Sequence, residues 1–271
     1  MNASSRTHGE EIRRGERFEF GSNWARFLST LDDGRIAEST ASLQRMLGRS
    51  DLSGLTFLDA GSGSGLFSLA ARRLGATVHS FDYDPNSVAC TRHLKERYFS
   101  SDVHWMIEEG SVLDTGYLGS LGSFDIVYSW GVLHHTGQMW PALAAVEPLV
   151  ASGGQLFVAI YNDQGWVSGY WRRVKRAYVE HRWLRWPLLL AHWPYLVGLR
   201  WLVRSIAGRG RLERGMSLWH DMVDWVGGYP FEVARPETIF AFYRDRGFRL
   251  QAMKTCGGRH GCNEYVFERS R

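Results

Sequence analysis

Through the middle of the chain, apolar residues gather in short runs that do not alternate with polar ones: 55–60 (Leu-Thr-Phe-Leu-Asp-Ala), 77–82, 103–107, 124–130 and 155–161. Runs of this kind read as strands buried on both faces, which predicts a parallel sheet with helices packed on each side. A helix begins inside Gly65-Leu-Phe-Ser-Leu-Ala-Ala-Arg-Arg-Leu and stops at Gly75, a residue free to take the left-handed conformation of a helix end. Pro85, following Asp84, opens a second helix, and Gly153-Gly154 marks the last helix-to-strand turn. Toward the C-terminus the pattern predicts a helix over 236–246 and strands over 248–255 and 263–268, joined by Cys256-Gly-Gly-Arg-His-Gly-Cys262. Ahead of the first strand, 24–47 reads as helix because Trp24, Phe27, Leu28 and Leu31 share a face. The first fifteen or so residues are polar and are expected to be disordered.

Composition narrows the class. With 271 residues, 44% of them hydrophobic, the chain can form one large domain or a domain with a sizeable insertion, which excludes a disordered chain or a small stapled scaffold. Three cysteines make no disulfide framework and no apolar segment opens the sequence, so a reducing cytoplasm is the expected setting. The net charge is +4, but residues 165–215 hold 11 basic and 2 acidic side chains, a local +9 against −5 for the remainder. The same stretch holds six of the twelve tryptophans: Trp166, Trp171, Trp183, Trp186, Trp193 and Trp201. A membrane span is excluded there, since Trp183–Val203 contains Arg185, Pro187, His192, Pro194 and Arg200. Three roles fit residues 162–220: peripheral contact with an anionic membrane surface, a lid or homo-oligomer interface, and nucleic-acid binding, the last without any recognised module.

The chemistry concentrates at strand ends. Leu58-Asp59-Ala60-Gly61-Ser62-Gly63-Ser64-Gly65 joins a buried strand to a helix, where glycines let a ligand approach the backbone and helix amides. A dinucleotide fingerprint needs a third glycine where Leu66 stands. A carboxylate at Asp59 repels a pyrophosphate but suits a ligand carrying an ammonium and a sulfonium, as S-adenosylmethionine does. At the second strand end, Phe81-Asp82-Tyr83-Asp84-Pro85, Asp82 is placed to grip both hydroxyls of a ribose, and Asp84 to cap the helix.

The glycine block resembles the first motif of class I S-adenosylmethionine-dependent methyltransferases, and the resemblance extends over most of 54–161 and again over 235–268. By that likeness Asp59 organises the cofactor's amino group, Gly61, Ser62, Gly63 and Gly65 supply the close backbone, and Asp82 holds the ribose. Tyr83, Ser111 and Val112 then line the adenine side, with Ser111 standing where the family often has an acid, and Trp130 is a further cofactor contact. His134 and His135 follow the fourth strand, where the family often places a functional histidine and where α/β folds bind ligands. A neutral histidine there can take a proton from the acceptor, His135 first and His134 second. Asp163, just past the fifth strand, is a candidate to orient one of them or to bind the acceptor directly. Trp24, Tyr161, Arg259 and His260 are candidate acceptor contacts, with Phe18 and Phe20 closing the site from the N-terminal side. His220 and Asp224, four apart on one helix face, lack a third ligand, and Cys256, His260 and Cys262 lack zinc spacing, so no metal site is expected.

The sequence thus predicts a doubly wound α/β fold with a seven-stranded, mostly parallel sheet, the last strand antiparallel. Four parts follow: a helical cap over 1–50, a cofactor-binding core over 51–161, a basic tryptophan-rich insertion over 162–234, and a closing helix and two strands over 235–271. The expected activity is methyl transfer from S-adenosylmethionine to a small, hydrophobic acceptor, with no specific nucleic-acid partner. A macromolecular target, RNA or protein, and a non-catalytic S-adenosylmethionine-binding protein are the alternatives.

Overall fold

The computed structural model describes residues 7–29, 31–199 and 218–271. Seven strands form one sheet in the order β3-β2-β1-β4-β5-β7-β6. They are β1 (Thr56–Ala60), β2 (Thr77–Asp82), β3 (Trp105–Glu109), β4 (Phe124–Trp130), β5 (Val150–Tyr161), β6 (Phe248–Lys254) and β7 (Cys262–Arg269). Strands β1 to β5 pair in parallel, and β7 runs antiparallel between β5 and β6. The sheet therefore has the doubly wound, mostly parallel form that its unbroken apolar runs predict. Chain order reverses between β1 and β4, and the crevice beyond their carboxyl ends is where such sheets bind ligands.

Helices cover both faces because each presents one apolar side. Helices α3 (Asp33–Leu47), α4 (Leu66–Arg73) and α5 (Pro85–Phe99) bury Ile36, Leu43, Leu69 and Leu94 in a core against Phe57, Val78, Trp105 and Ile126. On the other face α6 (Thr115–Ser120), α7 (Met139–Val146) and the helix Pro236–Arg244 enclose Leu58, Val127, Leu156, Val158 and Phe267. A third core belongs to the insertion: α8 (Trp166–Glu180), α9 (Arg185–Trp193) and α10 (Leu218–Gly227) pack Trp171, Val174, Tyr178, Leu189 and Met222 against Phe231.

Several element boundaries differ from the sequence expectation. The stretch 24–47 forms two helices, α2 (Phe20–Leu28) and α3, because Asp32 accepts from the Arg35 amide and caps a new start. From residue 7 onward the polar N-terminus is ordered rather than disordered: α1 (His8–Arg13) opens with a capping box from Thr7 and Glu10 and buries His8 beside Asp84. β5 begins five residues earlier than its apolar run, at Val150, since Gly153 and Gly154 lie within the strand rather than ahead of it.

Candidate active site

The loop after β1 has to pass close to two neighbours, and its glycines permit it. Gly61, Gly63 and Gly65 take φ of +88°, +54° and +79°, the region that disfavours side chains. A Cβ on Gly61 would lie 2.4 Å from Val132 in the loop after β4, and one on Gly65 would lie 2.8 Å from the Thr91 Cα on α5. The amides of Gly61 and Ser62 donate to the Phe81 carbonyl at the end of β2, and the Ser62 hydroxyl meets Thr91 at 3.0 Å.

Two carboxylates flank this loop. Asp82 accepts from the Gly63 amide at 2.8 Å and the Asp84 amide at 2.9 Å, while burial raises its pKa to about 6. Asp59 is 2% exposed, and burial, opposed by a hydrogen bond from Ser68, raises it to about 7. The Ser68 hydroxyl donates to Asp59 Oδ2 at 2.5 Å. Ser68 accepts in turn from Ser80 at 2.8 Å, and Ser80 from the Trp105 indole at 2.9 Å. An indole N–H can only donate, so it sets the direction of the chain and points the Ser68 proton at Asp59. Sequence reasoning missed these three residues; the available signal was a serine on the apolar face of α4.

The remaining cofactor-side candidates are adjacent to this loop. Tyr83 follows Asp82 and lies beneath the Arg17 guanidinium at 5.2 Å and edge-on to His8. Ser111 accepts from the Leu113 amide, Val112 is buried, and Trp130 is half-buried at the end of β4. Trp24 on α2 covers the loop: a Cβ on Gly63 would sit 3.2 Å from its indole nitrogen. The Gly21 amide fastens α2 by donating to Asp84 at 2.8 Å.

Beyond β4 the two histidines are close but unequal. Their rings are 4.5 Å apart. His134 is wholly buried, its Nδ1 facing the Tyr161 amide at 3.4 Å and its ring 4.0 Å from the Tyr161 ring. Burial, with the charges of His135 and Lys175, holds its pKa well below the usual histidine range. His135 is 7% exposed and sits 2.6 Å through Nδ1 from the Pro230 carbonyl. A carbonyl only accepts, so Nδ1 carries the proton and Nε2 keeps its lone pair. Burial lowers this group to about 3, helped by Lys175 and Arg17. Phe20 lies 4.8 Å from the His135 ring, and Arg17 donates to the His135 carbonyl at 2.8 Å. The N-terminal segment therefore bridges the glycine loop and the histidines, and neither Arg17 nor Pro230 was legible in advance.

Asp163 does not serve either histidine. Its Oδ1 accepts from the Gly165 amide at 2.8 Å, its other oxygen lies 4.0 Å from Arg235, and the place beside His135 Nδ1 is taken by Pro230. The β6–β7 turn does reach the strand-end side, where the Asn162 amide donates to the Gly261 carbonyl. His260 meets Tyr195 at 3.0 Å and the Trp225 ring at 5.2 Å, whereas Arg259 is exposed. Lys175, buried on α8, donates to the Trp225 carbonyl and lies 4.5 Å from that indole and 4.7 Å from Phe231. His220 and Asp224 fall on α10, but their side chains lie outside the described residues.

Residues 58–156 match the family model of a methyltransferase domain. The ubiquinone biosynthesis O-methyltransferase of Xanthomonas oryzae pv. oryzae is 35% identical over 114 residues, 42% of this chain and 46% of that protein. The protein of the same name from Caulobacter sp. is 30% identical over 121 residues, 42% and 44% of the two chains. The chain spans about half the length of these curated relatives. Among solved structures, magnesium protoporphyrin IX methyltransferase from Synechocystis with bound SAM aligns over 100% of both chains with a TM-score of 0.53 at 14% identity. An N-methyltransferase from Bradyrhizobium japonicum in complex with S-adenosyl-L-homocysteine aligns over 94% of this chain and 100% of its own, with a TM-score of 0.52 at 14% identity. At such identities the likeness is one of fold.

Proposed function

We propose, from the match of residues 58–156 to the methyltransferase-domain model, that the chain transfers a methyl group from S-adenosylmethionine to a small, hydrophobic acceptor. One observation carries the reading: a buried carboxylate, a loop of three positive-φ glycines and a histidine with an open ring nitrogen meet at adjoining strand ends. The cofactor, when bound, supplies a methyl group activated by its sulfonium. Asp59 would hold the ammonium, Asp82 the ribose, and the amides of Gly61, Ser62, Gly63 and Gly65 the close approach. Tyr83, Ser111 and Val112 would line the adenine side, with Trp130 as a further cofactor contact and Trp24 as cover. Transfer of a methyl group needs alignment and exclusion of water more than covalent help.

His135 is the better proton acceptor of the pair, because its Nε2 is open while His134 has no exposed surface. Its depressed pKa keeps it neutral at physiological pH but makes it a weak base. A phenol or enol gives up its proton more readily than an aliphatic alcohol, and its apolar body suits the rings around Tyr161. Oxygen as the receiving atom also agrees with the curated relatives, which are named O-methyltransferases of ubiquinone biosynthesis. Tyr161, with Phe231 beside it and Phe20 against His135, would hold the acceptor's apolar body; Arg259 and His260 lie farther along the same side.

The test is transfer of labelled methyl from S-adenosylmethionine to a panel of lipid-soluble phenols. Label should enter the organic phase, and His135→Ala should lower turnover by about 10²–10⁴-fold with cofactor affinity unchanged. Full turnover in that variant would remove His135 from the mechanism.

A further inference from the structure

We propose that the outer face of the insertion docks on an anionic membrane surface. Eleven large hydrophobic side chains are exposed among the described residues, and seven of them fall between residues 166 and 195. Their spacing is regular. On α8, Trp166 and Tyr170 point outward with Arg173 one turn on, while Trp171, Val174 and Tyr178 face the core. On α9, Trp186, Leu190 and Trp193 repeat the i, i+4, i+7 pattern toward solvent, and Leu189 faces inward. Trp166 is 83% exposed, Trp183 75%, Trp186 65% and Leu190 67%. The Tyr170 hydroxyl joins the two helices by meeting His192 at 2.6 Å.

Water is a poor neighbour for so many indoles on one segment, and an exposed apolar surface of this kind marks an interaction site. Composition selects the occupant. Tryptophan favours the headgroup level of a bilayer, where its ring meets the acyl boundary and its N–H stays wet. Arg173 and Arg182 are exposed on the same segment, with Arg172 and Arg176, which also meet the Phe231 carbonyl and Glu180, beside them. Such a basic surface complements phosphatidylglycerol or a similar anionic lipid. No helix among the described residues is long and apolar enough to cross a membrane, so the contact is peripheral.

Docking there also has a geometric consequence. A file of rings leads inward from the face: His192 to Trp171 at 5.0 Å, Trp171 to Trp225 at 5.6 Å, Trp225 to Tyr161 at 5.4 Å and Tyr161 to His134 at 4.0 Å. A role for this docking in bringing a membrane-dissolved acceptor to the site rests on the proposed methyl transfer; the docking itself does not.

The experiment is sedimentation of the full chain with vesicles of phosphatidylcholine alone or mixed with phosphatidylglycerol, with S-adenosylhomocysteine affinity measured on each protein as a check of folding. Binding is expected on the anionic vesicles and should weaken with salt. The triple variant Trp183→Ala/Trp186→Ala/Leu190→Ala should lose at least about tenfold. Arg173→Glu/Arg182→Glu should lose about fivefold or more per arginine. Equal binding to neutral vesicles, no vesicle binding, preference for single-stranded RNA over vesicles, or wild-type partitioning of the triple variant would each overturn the docking. Failure of the unsubstituted chain to bind S-adenosylhomocysteine while it still sediments with vesicles would instead count against the methyl-transfer reading alone.

Discussion

Asp59 and Tyr161 lie at the ends of strands β1 and β5 of one sheet, yet their surroundings are held by different means. Around Asp59, hydrogen bonds between short polar side chains fix each group: Trp105 to Ser80, Ser80 to Ser68, Ser68 to the carboxylate. Around Tyr161, rings hold rings, with His134, His135, Trp225 and Phe231 all within 5.4 Å, centroid to centroid. The first arrangement is directional and tolerates one charge pattern; the second is apolar and tolerates a range of shapes. That division matches the proposed roles, a fixed, charged cofactor on one side and a hydrophobic acceptor on the other.

If the cofactor side is the rigid one, crowding it should do the most harm. Gly65→Val places a branched side chain at φ +79° where even a Cβ would lie 2.8 Å from the Thr91 Cα. It should cost about 2–5 kcal/mol of stability in urea unfolding and abolish cofactor binding. Ser68→Ala is gentler. Losing one hydrogen bond to a buried carboxylate should weaken S-adenosylhomocysteine binding by about 1.5–3 kcal/mol near neutral pH. The pH dependence sharpens this. Asp59 titrates at about 7 in the folded protein, so its ionised form, the one that holds an ammonium, is lost as pH falls through 7. Affinity should fall by up to about tenfold per pH unit below that point, and in Ser68→Ala the fall should begin at higher pH. A Ser68→Ala profile that overlays the wild type would show that the serine only packs.

The same contrast explains what could be read from the chain in advance. The strands between 55 and 161 are apolar runs bounded by glycine and proline, and the glycine loop follows one of them, so the fold and the place of that loop at a strand end were both legible. Local signals sufficed because a βα turn makes most of its contacts within a few residues. The acceptor side was less so. His135 was anticipated by its place after β4, but its tautomer depends on the carbonyl of Pro230, 95 residues later. Asp163 was a candidate to orient one of the two histidines on the strength of adjacent strand ends, and instead its oxygen turns back to the Gly165 amide two residues on, a local capping contact that outcompetes the distant one. The ordered N-terminal segment was missed for the same reason. The polar residues of α1 look unstructured until His8 is seen against Asp84.

The central claim is that the site divides into a charged cofactor side and an apolar acceptor side. Calorimetric titration of S-adenosylhomocysteine into the wild type, Asp59→Ala and His135→Ala tests it most directly. Binding should be lost in Asp59→Ala and unchanged in His135→Ala. Binding that survives in Asp59→Ala, or that is lost in His135→Ala, or a wild type that prefers NAD, would contradict it.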